Sequence, residues 1–234
     1  PKQFKFEDIN HFFEMNSNPV HGNILSIDNG KKGEIWVGTL SNGVYLFNAK
    51  MKKSVSFRSD KNSGGLCSDL INVVKYDSKG RIWVGTRNGL SLIEKNGSQV
   101  SNYFFNPNDD KSLTGNYITS IIEDRNGTIW IATTNMGLQR VREENGLIRF
   151  DRVNFYNDYY SYNPGFSILS MLCDKAGNIW IGTENGGLYV IERNTRNAAQ
   201  ADLIAAQAAV EQSEAYEKRL RNLLTEKAVS RNDY

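Results

Sequence analysis

One phrase recurs four times in this chain and constrains its fold more than any other feature: GEIWVGT at Gly33 to Thr39, GRIWVGT at Gly80 to Thr86, GTIWIAT at Gly127 to Thr133 and GNIWIGT at Gly177 to Thr183. An acidic turn precedes each copy, and each copy holds one of the four tryptophans. Trp36, Trp83, Trp130 and Trp180 stand 47, 47 and 50 residues apart. Self-similarity at a period of this length is the mark of bladed β-architectures, whose units cannot bury their apolar faces alone and must stack.

Each repeat reads the same way. An alternating apolar strand comes first (Ile24 to Ile27, Leu70 to Tyr76, Tyr117 to Glu123, Phe166 to Cys173). A turn opened by Asp28, Asp77, Asp124 or Asp174 follows. Aspartate bonds the backbone two residues on and the closing glycine tolerates positive φ, so these are hairpin turns. Asp28 departs, with two extra residues before Gly33.

In the IWVGT strand the tryptophan and the small residue two later (Gly38, Gly85, Ala132, Gly182) share one face, and the isoleucine, valine and threonine share the other. Both faces are apolar or small, so the strand is covered on both sides and its tryptophan is expected to be buried. The small residue is expected to make room for a ring from the neighbouring sheet.

A second turn (Asn42-Gly43, Asn88-Gly89, Met136-Gly137, Gly186-Gly187) leads to a third strand, VYLF, LSLI, LQRV or LYVI. A weaker fourth follows in the first three repeats, at Val55 to Phe57, Tyr103 to Phe105 and Ile148 to Phe150, and the last repeat stops after its third. Four short antiparallel strands per period describe a propeller blade. The expected fold is therefore all-β: a β-propeller segment of about four four-stranded blades (20–60, 66–107, 113–156 and 163–193) within 1–194. Phe4 and Phe6 read as a stray strand, a candidate fourth for the last blade.

The composition breaks near residue 195. All 20 glycines lie at or before Gly187, whereas alanines crowd residues 198 to 228. Glu214 with Lys218 and Glu217 with Arg221 are i,i+4 pairs in the favourable order. Residues 195–234 read as one long C-terminal α-helix with an impure coiled-coil heptad.

With a net charge of +2 and 23% charged residues there is no basic footprint, so nucleic acid is not an expected partner. Cys67 and Cys173 lie two repeats apart with no metal-ligand spacing; two free, packed thiols are expected, and no metal or cofactor. No apolar run is long enough to span a membrane. Identical positions in the repeats make Asp77, Asp124 and Asp174 structural turn residues rather than a carboxylate set.

Ligand contacts are sought elsewhere. The loop FYNDYYSYNPG, Phe155 to Gly165, crowds Tyr156, Tyr159, Tyr160 and Tyr162 between two blades, and aromatic faces with hydroxyl edges suit sugar rings. Asp69, Asn72 and Asn116 stand at entries to first strands and are weaker candidates. No acid/base pair stands out, so a non-enzymatic binding module is expected. The enzyme alternative, a propeller acting on polysaccharide, needs paired carboxylates, or a tyrosine with a base, in a central funnel.

The unit Ser112 to Leu138 (SLTGNYITSIIEDRNGTIWIATTNMGL), preceded by NPNDDK, resembles the two-component regulator propeller repeat of periplasmic sensors in hybrid two-component systems, especially those of gut Bacteroidetes. The likeness recurs over residues 20 to 193. It implies a sensor domain outside the cytoplasm, in the periplasm, that detects breakdown products of complex carbohydrates and signals through a kinase. The helix, residues 205 to 234, is similar instead to the α-hairpin tip of periplasmic adaptor proteins of efflux pumps. That likeness implies partner contact at Arg219, Leu223 and Ser230 and an adaptor fragment, or a chimera with one, as an alternative.

A run of four repeats leaves blade faces uncovered at its ends: Trp36, Val44 and Leu46 on the first, Trp180, Leu188 and Val190 on the last. Self-association, repeats outside this chain or the helix are expected to cover them.

Overall fold

The computed structural model describes residues 22–48, 53–60, 64–95, 97, 99–134, 137–153 and 167–193. The Phe4 to Phe6 strand, the tyrosine loop with Tyr156, Tyr159, Tyr160 and Tyr162, and the helix with Arg219, Leu223 and Ser230 lie outside the described residues. The chain divides into two compact units, Pro1–Ile191 and Glu192–Tyr234.

The first unit is four antiparallel sheets in chain order. Blade 1 is β1 (Ile24–Asn29), β2 (Glu34–Thr39), β3 (Val44–Asn48) and β4 (Lys53–Phe57). Blade 2 is β5 (Ile71–Tyr76), β6 (Ile82–Thr86), β7 (Gly89–Ile93) and β8 (Val100–Tyr103). Blade 3 is β9 (Ile118–Glu123), β10 (Ile129–Thr133), β11 (Gly137–Glu144) and β12 (Leu147–Val153), and blade 4 shows, among the described residues, β13 (Ile168–Cys173), β14 (Ile179–Thr183) and β15 (Gly187–Ile191). The all-β reading holds, and the last blade has three strands among the described residues.

Register repeats from blade to blade. Each first strand carries a bulge two residues in, at Leu25, Asn72, Thr119 and Leu169, which shifts its pairing with the second strand. The threonine that ends each phrase pairs with the first residue of the first strand: Ile24 with Thr39, Ile71 with Thr86, Ile118 with Thr133, Ile168 with Thr183.

The core lies between blades. Trp36 and Val44 of blade 1 meet Ile71, Val74, Ile82, Val84 and Ile93 of blade 2. Trp83, Leu90 and Leu92 of blade 2 meet Ile118, Ile121, Ile129 and Phe150 of blade 3, and Ala132 and Leu138 meet Ile168, Ile179 and Ile181 of blade 4. One face of every sheet thus looks forward and the other back, which is why each central strand is apolar on both sides.

Three expectations need correction. The small residue beside the tryptophan receives an aliphatic side chain rather than a ring: a Cβ at Gly38 would stand 2.7 Å from Ile71 Cγ2, and one at Gly85 2.6 Å from Ile118 Cγ2. Trp36, Val44 and Leu46 are not a bare end face, because they look forward onto blade 2. The tryptophans are not equally buried: Trp36 and Trp83 are 6% and 0% exposed, Trp130 is partly buried, and Trp180 is 37% exposed. Trp180 looks forward from blade 4, and no fifth blade lies among the described residues. With Leu188 and Val190, both exposed, it forms the uncovered face expected at that end.

Candidate functional site

The repeat aspartates hold the tryptophans. Asp77 Oδ2 accepts the Trp83 indole N–H at 2.8 Å, Asp124 Oδ2 that of Trp130 at 2.8 Å, and Asp174 Oδ2 that of Trp180 at 2.9 Å. Their other oxygens accept backbone amides within the turn, such as Arg81 N at 2.8 Å and Thr128 N at 3.0 Å. The turn closes from Gly80 N to Asp77 O at 2.9 Å with Gly80 at φ 84°, a conformation glycine adopts without strain. At Asp174 the Trp180 bond, against the opposing effect of burial and with help from Asn178 and the amide of Ala176, holds the carboxyl at a pKa of about 2.

The phrase's threonine is a second fixed part, and the sequence reading had treated it only as a small face. The Thr39, Thr86 and Thr183 hydroxyls donate to the carbonyls of Gly43, Gly89 and Gly187 at 2.9, 2.8 and 2.8 Å, closing the turn between second and third strands. Its presence in all four copies was the available signal.

Asp69 and Asn116 occupy one position in successive blades. Asp69 Oδ1 accepts Ser59 N at 2.7 Å while its carbonyl accepts Gly43 N at 3.0 Å. Asn116 Oδ1 accepts Phe105 N, and its carbonyl accepts Gly89 N, both at 2.7 Å. Each is a latch between the interblade crossover and the preceding blade. Asn72, at the bulge of β5, donates from Nδ2 to Ile118 O of the next blade at 2.8 Å. Each of these three side chains thus places one polar atom on the fold.

Blade 1 breaks the pattern. Its longer turn sends Asp28 to the neighbouring blade, where Oδ2 accepts Tyr76 N at 2.8 Å and Lys75 Nζ at 3.0 Å. Trp36 Nε1 is buried without a hydrogen-bond partner. A cleft of about 480 Å³ opens here between blades 1 and 2, lined by Trp36, Leu46, Phe57, Tyr76 and Ile82 with Lys31, Glu34, Glu94 and Lys95.

The junction of blades 2 and 3 shows what closes the same space. There Tyr103 and Phe150 pack edge to face with centroids 5.4 Å apart. By register Phe57 stands for Tyr103, but Val100 stands for Phe150, and a valine leaves the volume of a ring unfilled. Arg81 bridges the same junction, with Nε 2.8 Å from Asp77 Oδ2 and Nη2 2.7 Å from Glu143 Oε1, while Lys79 Nζ lies 2.7 Å from Glu143 Oε2. Burial works against the Glu143 charge, yet the bonds from Lys79 and Arg81 hold its carboxyl below the usual range. The register counterparts of Arg81 and Glu143 at the first junction, Glu34 and Lys95, both line the cleft. Trp36 and Phe57, 5.5 Å apart and tilted by 37°, form its aromatic wall. An aromatic wall beneath a polar rim suits a ring with an apolar face and hydroxyl edges.

Sheets stacked face to face, each passing its chain from the outermost strand to the innermost strand of the next, are blades of a β-propeller. The repeats are of one particular kind: the two component regulator propeller model matches residues 65–88, 112–135 and 161–185, so the chain carries two component regulator propeller repeats. The first repeat, with the long turn and the Trp36 indole lacking a carboxylate partner, is outside those matches.

Among solved structures, the extracellular domains of two hybrid two component systems from B. thetaiotaomicron are similar. One is 21% identical with a TM-score of 0.59, over 76% of this chain and 24% of that one. The other is 24% identical with a TM-score of 0.55, over 74% and 21%. A structure described as a gluconolactonase is 14% identical with a TM-score of 0.51, over 70% and 58%. The chain spans about a quarter or less of the length of the two extracellular domains, and the likeness is one of fold. No curated protein matches the chain.

Proposed function

We propose that this chain is a non-enzymatic, ligand-binding propeller module of a hybrid two component sensor, working outside the cytoplasm, in the periplasm, and detecting oligosaccharides released from complex carbohydrates. The recurrence of the two component regulator propeller repeat in three blades carries this reading. The likeness in fold to extracellular domains of such systems supports the class and the compartment. A binding role without catalysis is supported by the repeat carboxylates, because Asp77, Asp124 and Asp174 are committed to indole and backbone donors. The carbohydrate class is supported by the Trp36–Phe57 wall of the cleft and by the tyrosines Tyr156, Tyr159, Tyr160 and Tyr162. The output lies in kinase segments of a longer polypeptide.

Titration with polysaccharide digests, followed by tryptophan and tyrosine fluorescence, tests the reading. A saturable response to at least one digest is expected. Val100→Phe, which restores the ring found at Phe150, should abolish the part of the response that comes from the cleft, and Tyr159→Ala the part from the loop. Silence across a broad panel would sink the ligand class, and turnover of a digest would overturn the non-enzymatic role.

A further inference from the structure

The junction of blades 2 and 3 carries three devices around the Trp83 indole, and the junction of blades 1 and 2 changes all of them. The first is the Phe150 ring packed against Tyr103, whose counterpart is Val100. The second is the Arg81 guanidinium, which stands over the Trp83 ring with its carbon 5.2 Å from the ring centre. A cation is drawn to the face of an indole because that face carries the negative end of the ring quadrupole. Glu34, at the position of Arg81, has no such attraction to Trp36, and the Trp36–Phe57 wall lines the cleft.

The third device is the ion pair. Arg81 Nη2 stands 2.7 Å from Glu143 Oε1 and ties the start of β6 to β11 of the next blade. At the first junction the acid, Glu34, opens β2 and the base, Lys95, follows β7 of the next blade. The signs have exchanged places, so the two positions remain complementary; a change at only one of them would have set like charges against each other.

Yet this pair is not made in the structure. Glu34 Oε2 accepts the Lys31 amide at 3.2 Å, at the long end of such a bond. Neither Glu34 nor Lys95 forms an ion pair among the described residues. Both line the same cleft, whose volume of about 480 Å³ is that of a small-ligand site. Lys95 is exposed and Glu34 half-buried, so each can swing about its own side-chain torsions without moving a strand.

We propose that Glu34 and Lys95 form a latch across the rim of this cleft: they part to admit a ring onto the Trp36–Phe57 wall and pair behind it, as Arg81 and Glu143 pair over the closed junction. The ligand half of this rests on the carbohydrate reading above; the latch itself does not. Lys31 and Glu94, the other charges of the lining, are the rival partners, one for each arm. A surface ion pair shifts an equilibrium by no more than about fivefold, enough to lengthen the stay of a ligand and too little to lock the cleft shut.

Carbodiimide crosslinking of the full chain tests the latch without any ligand, because it joins a carboxylate to an amine as an amide only where the two meet. Lys79 and Glu143, 2.7 Å apart, are the positive control within the same molecule. An amide between Glu34 and Lys95, found by mass spectrometry of the proteolysed protein and diminished at about 1 M salt, is the expected result. Its absence while the Lys79–Glu143 amide forms, or Glu34 joined only to Lys31 and Lys95 only to Glu94, would overturn the latch. A second arm follows, by stopped-flow fluorescence, the release of the polysaccharide digest that gives a saturable response. Glu34→Gln and Lys95→Gln should each speed release by about two- to fivefold, and Glu34→Lys combined with Lys95→Glu should restore it. Release unchanged in both single variants would overturn the latch as well. Silence of every digest with the amide present would leave the latch standing and sink only the carbohydrate reading.

Discussion

At the scale of single residues the repeat is a device for holding an indole. Trp83 and Trp36 are both deeply buried, but Trp83 donates to Asp77, itself 1% exposed, while Trp36 Nε1 has no partner. Replacing either by phenylalanine removes the same atoms, yet only at Trp83 does it strip a buried carboxylate of a donor. We therefore expect Trp83→Phe to cost about 1.5 to 3 kcal/mol more than Trp36→Phe, the worth of a hydrogen bond to a charged group, by chemical denaturation. Trp83→Ala should cost about 3 to 5 kcal/mol, like other large-to-small core changes. Asp174 gives a pH signature. Its folded-state pKa of about 2 lies below the ordinary 3.8, so its contribution to stability is present above the ordinary value and is lost as pH falls through the folded one. Trp180 fluorescence should titrate with a midpoint near pH 2, and Asp174→Ala should abolish that transition.

At the scale of elements, the blade junction depends on a residue that lacks a side chain. Gly85→Ala would drive a methyl to 2.6 Å from both Val73 Cγ1 and Ile118 Cγ2, two branched neighbours of which the first is partly and the second fully buried. A cost of about 1 to 3 kcal/mol is expected, as for other overpacked cores. Gly182→Ala makes the same chemical change where the added methyl meets only atoms of Ser170 within 4 Å, and should stay within about 0.5 kcal/mol. Equal losses at the two positions would show that the glycine serves its own strand rather than the junction.

For the propeller unit as a whole, stability runs from neighbour to neighbour. Blade 2 is packed on both faces; blade 4, with three strands among the described residues, is packed on one and exposes Trp180, Leu188 and Val190. Hydrogen exchange at low protein concentration should accordingly be fastest in β13–β15 and slowest in β5–β7.

The sequence by itself determined the strands, the turns and the stacking of blades, because period-2 patterning, the aspartate-to-glycine turns and the small residue beside each tryptophan are local and recur from repeat to repeat. It also marked blade 1 as irregular through the two extra residues after Asp28. Only the tertiary structure decided what those residues do. Asp28 reaches Lys75 and Tyr76 in the next blade, 47 and 48 positions on, and no local pattern encodes that pairing. Asp69 and Asn116 stand in the sequence only as weak ligand-contact candidates at strand entries, and the backbone amides that their side chains accept, from Ser59 and Phe105, became visible only with the fold. The cleft follows from Val100 standing where blade 3 has Phe150, a difference of volume that gains meaning only once two sheets face each other.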